Sequence, residues 1–183
     1  MSQRLFIALD LPADCRHQLA SLATPIRGVR WIPEHQLHLT LAFLGDVAPE
    51  PHARLLETLS AIRVPPFVLR IEALGTFGRG RPSVLWAGTG TGHPHLFALH
   101  KRVHDALFAA GLDPELRAFR PHISIARIRG TSAESLRPLL RKHESTRFCT
   151  TEIRAFSLYS SQLHPEGAEH TLEASWNLQP RQP

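Results

Sequence analysis

Lysine is nearly absent from this chain: Lys101 and Lys142 are the only two in 183 residues, although Lys plus Arg is 21 against 16 for Asp plus Glu. The positive charge therefore sits on guanidinium forks, which grip phosphate oxygens bidentately and stack on bases. A formal charge of +5 fits a protein that meets anions. Cysteine is scarce too. Cys15 and Cys149 are too few for a disulfide framework and have no partners at metal-ligand spacing. A chain of this length buries roughly 70% of its unfolded surface, so its core needs no staples. Long apolar runs are missing, since the first, Leu5 to Leu9, is far too short for a signal peptide or a membrane helix. A membrane role is thereby excluded, and a cytoplasmic protein is expected. No glycine-rich loop follows a P-loop pattern, and no Ser-His-Asp order stands out. His100 and His104 stand four apart on an expected helix, but Lys101 and Arg102 lie between them and no acidic base does. No metal and no cofactor is expected.

What is present is a repeated order of elements. Arg4 to Leu11 reads as a strand, and a helix follows Pro12 with Leu19, Leu22 and Ala23 on one face. Leu37 to Leu44 alternates as a strand, and Pro49 to Ile62 is helical. Phe67 to Phe77 and Ser83 to Gly88 form a hairpin around Gly78-Arg79-Gly80-Arg81-Pro82. A helix from about His95 to Ala110, closed by Gly111, leads to the second round. That round has a strand His122 to Ile128, a helix opened by the capping box Thr131 to Glu134, and strands over roughly Phe148 to Gln162 and His170 to Leu178. Ile71 to Phe77 finds its counterpart in Ile153 to Tyr159, and Trp86 and Trp176 fall in corresponding strands. The economical reading is one α+β domain over 1–183. It has two pseudo-symmetric lobes, each an antiparallel sheet with helices on its outer face, and a cleft between them. Only the tail from Gln179 to Pro183 looks disordered.

Each round opens with a histidine followed two residues later by a hydroxyl. Side chains alternate in a strand, so Leu37, Leu39, Leu41 and Phe43 are expected to face the core while His38 and Thr40 look out together. The same parity pairs His122 with Ser124 against Ile123 and Ile125. Imidazole titrates near 6.5, so two of them facing one cleft can act as acid and base at neutral pH. Thr40 and Ser124 set a hydroxyl beside each imidazole. Arg120 shares the parity of His122. Arg127 has the opposite parity and would face the core unless a bulge redirects it. Arg79 and Arg81, beside Phe77 and Trp86, are candidates to steer or stack on RNA.

The chain resembles the two-histidine phosphoesterases, and within them the RNA 2',3'-cyclic phosphodiesterase branch, formerly described as 2'-5' RNA ligases. The resemblance is carried by Arg4-Leu-Phe-Ile-Ala-Leu9, Val29-Arg-Trp-Ile-Pro33, Leu37-His-Leu-Thr-Leu-Ala-Phe-Leu-Gly45, Gly80-Arg-Pro82 with Val84-Leu-Trp86, and Phe119-Arg-Pro-His-Ile-Ser-Ile-Ala-Arg127. Ser124 stands where threonine is more usual, which keeps the hydroxyl. The resemblance implies that His38 protonates the departing 3' oxygen, His122 activates water, Thr40 and Ser124 donate hydrogen bonds to phosphate oxygens, and Arg127 binds phosphate. The substrate it implies is RNA ending in a 2',3'-cyclic phosphate, opened by a monomer to a 2'-phosphate without a metal. Two rivals are the reverse reaction, which joins RNA ends through a 2',5' linkage, and an RNA-binding module of the same fold without turnover.

Overall fold

The computed structural model describes residues 2–114, 117–164 and 167–180. Its strands are β1 (Gln3–Asp10), β2 (Val29–Trp31), β3 (His38–Val47), β4 (Phe67–Phe77), β5 (Val84–Gly88), β6 (His122–Ile128), β7 (Arg147–Ile153), β8 (Ala155–His164) and β9 (Gly167–Asn177). The helices are α1 (Ala13–Ala20), α2 (Pro49–Ser60), α3 (Pro94–Ala109) and α4 (Ala133–Lys142), with a 3-10 turn at Glu34–Gln36. All strands join one antiparallel sheet in the order β7-β4-β5-β6-β3-β1-β8-β9, with β2 added beside β6. The α+β class and the two lobes are as expected from sequence.

The lobes are not the two halves of the chain, however. The sheet narrows to one register pair, Leu39 with Ile123, where β3 meets β6. On one side lie β3, β1, β8 and β9; on the other lie β6, β5, β4 and β7. The hairpin that follows the first histidine strand therefore packs beside the second, and the late β8–β9 hairpin packs against β1, next to the first. Helices cross in the same way. The pair α2 and α3 lies over β3 and β9, whereas α1 and α4 lie against β7 and β4. The expected strand Phe148 to Gln162 is also two strands that part at Arg154 and sit in different lobes. Periodicity could not show this break, because residues on both sides of it are β-formers with buried faces.

Apolar faces explain the rest. Leu39, Leu41, Ile123 and Ile125 enter one core with Leu19, Leu55, Leu59, Leu96, Leu99 and Val103 from the helices. Each such side chain contributes about 1.5–3 kcal/mol. Leu22 and Ala23 fall beyond α1 in a turn, so the helix is shorter than its sequence suggests. Helix α3 ends as expected. Gly111, at φ 80°, donates to the Phe108 carbonyl, and Leu112 donates to the Leu107 carbonyl. This double bond closes the helix with a left-handed glycine. The cap of α4 is Ser132 rather than Thr131: Ser132 Oγ accepts from the Ser135 amide, and the Thr131 hydroxyl donates instead to the Arg27 carbonyl at 2.5 Å. The cysteines also differ from expectation, for Cys15 on α1 and Cys149 on β7 form a disulfide across 134 residues of sequence. In the expected tail, Gln179 and Pro180 are exposed, and residues 181–183 lie outside the described residues.

Candidate active site

The seam between β3 and β6 organises the site. With Leu39 opposite Ile123, an antiparallel register sets His38 across from Ser124 and Thr40 across from His122. The four polar side chains are half-buried on one face, while Leu39, Leu41, Ile123 and Ile125 are buried on the other. The expected pairing of each histidine with its hydroxyl is present, and the lobes are related about the seam. Each imidazole is oriented identically: His38 Nδ1 lies 2.7 Å from the Gln36 carbonyl, and His122 Nδ1 lies 2.7 Å from the Arg120 carbonyl. A carbonyl only accepts, so both Nδ1 atoms carry their hydrogens and both Nε2 atoms are left for chemistry. Arg120 thus serves the site through its backbone, and its exposed side chain lines the cavity on which His122 opens.

Bulges correct two expectations of parity. In β6 the partners of Leu85 and Trp86 are Ala126 and Ser124, which leaves Ile125 as an extra residue. Beyond it Ala126 is buried and Arg127 is exposed, so Arg127 turns from the expected core side to the cleft. In β3 the partners of Ile7 and Ala8 are Ala42 and Thr40, with Leu41 extra. Phe43, expected in the core, is instead 62% exposed. It occupies the place in its motif that Arg127 occupies in the other, five residues after the histidine.

The two histidines have different surroundings. Phe6, buried in the middle of β1, stacks on His38 at 4.9 Å and on Tyr159 at 5.3 Å, and meets His170 edge-on at 4.8 Å. Asp10 pairs with His38 across β1 and β3 and is held by Tyr159 Oη at 2.5 Å and Ser157 Oγ at 2.8 Å. Phe6, Asp10, His38, Tyr159 and His170 line a cavity of about 470 Å³ with Arg16, His35 and Gln36. His122 instead meets Phe77 edge-on at 4.7 Å and opens on a cavity of about 460 Å³ that also holds Thr40, Phe43, His100, His104 and Phe119. Trp86, opposite Gly75, packs against Phe77 at 5.3 Å. A Cβ on Gly75 would lie 2.2 Å from the indole, so only glycine lets Trp86 lie flat there.

Burial lowers the pKa of both catalytic candidates. His38 falls to about 4, chiefly by desolvation; the Gln36 carbonyl and Asp10 oppose this, while His170 and Arg127 add to it. His122 is also lowered, again by burial first, with the Arg120 carbonyl opposing and Arg127 adding. Arg127 therefore acts on both imidazoles through its charge. In the empty cleft at pH 7 both rings are neutral, so an anion entering between them favours uptake of a proton by one. Asp10, Tyr159, His170 and Phe43 were not picked out from sequence. Only Phe43 left a signal there, its offset from His38 matching that of Arg127 from His122. His100 stacks on Phe119 at 3.9 Å and lies 4.2 Å from His104, so the three rings form an aromatic wall. Among the described residues no three His, Cys, Asp or Glu side chains converge to hold a metal ion, and no helix is long and apolar enough to cross a membrane.

Comparison with known proteins agrees with this geometry. The family model of the 2'-5' RNA ligase superfamily matches residues 13–164. A protein of Archaeoglobus fulgidus named RNA 2',3'-cyclic phosphodiesterase is 32% identical over 168 residues, covering 90% of this chain and 94% of its own. The structure of Escherichia coli LigT complexed with 3'-AMP superposes with a TM-score of 0.82 at 28% identity, covering 97% of this chain and 99% of the other. The structure of TT0787 of Thermus thermophilus does so at 0.81 and 26%, covering 98% and 100%.

Proposed function

Because the chain belongs to the 2'-5' RNA ligase superfamily, we propose that it hydrolyses the 2',3'-cyclic phosphate at RNA ends to a 2'-phosphomonoester, with His38 as acid and His122 as base. The observation that carries this reading is the matched pair of imidazoles, each fixed through Nδ1 to a carbonyl two residues upstream and each with Nε2 free. An in-line displacement needs one proton removed from water and another delivered to the leaving oxygen on the opposite side of phosphorus. Two imidazoles across a seam meet that demand. His122 takes a proton from water as its oxygen bonds to phosphorus, and His38 gives a proton to O3' as the P–O3' bond breaks. Thr40, Ser124 and Arg127 hold the non-bridging oxygens, whose charge grows in the transition state.

The direction of proton flow, with His38 as acid and His122 as base, is the one the family resemblance implies. A carboxylate, Asp10, faces His38 and opposes the desolvation that lowers its pKa to about 4, and among the described residues no carboxylate is found to perturb His122. The phosphate anion raises both pKa values on binding, so the ring that serves as acid takes up its proton together with the substrate. Named RNA 2',3'-cyclic phosphodiesterases among the relatives support the substrate class. Every group invoked comes from one chain, in keeping with a monomer. A cytoplasmic location belongs to the same reading, and trapping of cellular thiols tests it, because the Cys15–Cys149 bridge would persist only in an oxidising compartment.

The deciding experiment is incubation of the purified protein with a nucleoside 2',3'-cyclic phosphate in excess EDTA, followed by phosphorus NMR. A 2'-phosphate is the expected product. A 3'-phosphate overturns the leaving-group assignment, and binding of RNA without turnover leaves the non-catalytic module. Activity that disappears in EDTA and returns with a divalent ion overturns the two-imidazole mechanism.

A further inference from the structure

Beyond the cleft, the tertiary fold gathers arginines that lie far apart in sequence. The segments 27–32, 78–84 and 125–131 contain six arginines and no acidic residue. They are bound to one another through their backbones. Arg30 stands opposite Arg127, which in turn stands opposite Val84; the Arg129 amide donates to the Gly28 carbonyl at 2.8 Å, and the Ile128 amide donates to the Ser83 carbonyl at 2.9 Å. Gly28 is itself a condition of this approach, since a Cβ there would lie 2.2 Å from the Arg129 carbonyl oxygen. Arg27, Arg79, Arg81, Arg127 and Arg129 are all exposed.

Like charges gathered on one surface repel, whereas three exposed cations elsewhere each have a carboxylate partner: Arg54 pairs with Glu50, Lys101 with Asp105 and Arg154 with Glu152. Among the described residues none of those five arginines is in an ion pair. The related end of the other lobe provides an internal control. There Phe43 and Gly45 hold the places of Arg127 and Arg129, and Arg4 is matched across β1 and β3 by Asp46. Only one of two equivalent ends is basic. Its inner member, Arg127, acts on both candidate histidines through its charge, and Arg129 follows in the bend just beyond the end of β6.

We propose that this arginine end of the second lobe is a track for the phosphodiester backbone of single-stranded RNA, holding the phosphates 5' to the reacting terminus. The assignment rests on the cyclic phosphodiesterase reading given above and extends it. It makes an oligonucleotide, rather than a mononucleotide, the preferred substrate. Arg79, Arg81 and Arg129 contribute affinity and leave the chemistry untouched.

The test compares a nucleoside 2',3'-cyclic phosphate with an octaribonucleotide ending in the same nucleoside and cyclic phosphate. In the combined variant Arg79→Ala, Arg81→Ala, Arg129→Ala, kcat/KM for the octamer should fall at least about tenfold at low salt, while the mononucleotide value stays within about twofold. Loss of three phosphate contacts should also lower the slope of log(kcat/KM) against log salt by about 2, at roughly 0.7 per contact on a single strand. The matching triple lysine variant should keep most of that slope. Equal losses on both substrates, or no loss on the octamer, overturn the track. Fluorescence anisotropy with a labelled octamer ending in a 3'-hydroxyl separates this from the catalytic reading. At least tenfold weaker binding by the alanine variant supports the track even if neither cyclic substrate is turned over, and unchanged binding refutes it even if both are.

Discussion

Protonation of His38 should cost this fold stability, and the size of the effect follows from its burial. The ring sits between Phe6 and His170, with a pKa lowered from 6.5 to about 4 mainly by desolvation. At 1.36 kcal/mol per unit, the difference between unfolded and folded values corresponds to about 3 kcal/mol. The sign follows from proton counting. Between these two values the unfolded chain binds more protons than the folded one, so stability rises with pH. The contribution is complete above 6.5 and is lost as pH falls from 6.5 to about 4. His38→Gln keeps a donor for the Gln36 carbonyl and has nothing to titrate. Urea unfolding of both proteins at pH 7.5 and pH 3.5 gives the comparison, because the histidines away from His38 contribute equally to each. The wild type should lose about 3 kcal/mol more than the variant between those conditions. Parallel losses would refute the claim that His38 is held neutral by its surroundings.

Other consequences concern the same site and its supports. His38→Ala or His122→Ala should each lower kcat by at least about 10², and the double variant should lose far less than the product of the two, since the pair acts as a unit; steady-state kinetics on the cyclic nucleotide measures this. The kcat/KM profile, which reports the free enzyme, should be a bell displaced to acid, its lower limb near 4 and its upper limb below 6.5. The kcat profile should lie at higher pH, because bound phosphate favours imidazolium. Gly75→Ala should drive a Cβ into the Trp86 indole and cost about 1–3 kcal/mol, read as a lower Tm, with reduced kcat because Trp86 stands opposite Ser124. Cys149→Ser should lose about 2–4 kcal/mol, the usual range for removing a disulfide, without changing the pH profile.

The facing pair of histidines was legible in the sequence because its signal is local. A histidine and a hydroxyl two apart share a face of any strand, and the alternating leucines and isoleucines fix which face is dry. Helix α3 and its glycine stop were legible for the same reason, as both depend on neighbours within a few residues. Parity failed where a single extra residue changed it. Nothing in Leu41 or Ile125 marks either as a bulge, since bulges answer to the strand across the ladder, and so Phe43 and Arg127 were assigned to the core side. The doubled order of elements was visible, but which hairpin packs beside which histidine strand was not. A strand's polar face is satisfied equally well by either neighbour, and only closure of the whole sheet selects the exchange that sets Trp86 beside Ser124 and Tyr159 beside Asp10. The unequal fields around His38 and His122 are likewise a tertiary matter. Asp10, Tyr159 and His170 come from three strands as much as 160 residues apart in sequence, and Coulomb's law counts distance through space rather than along the chain.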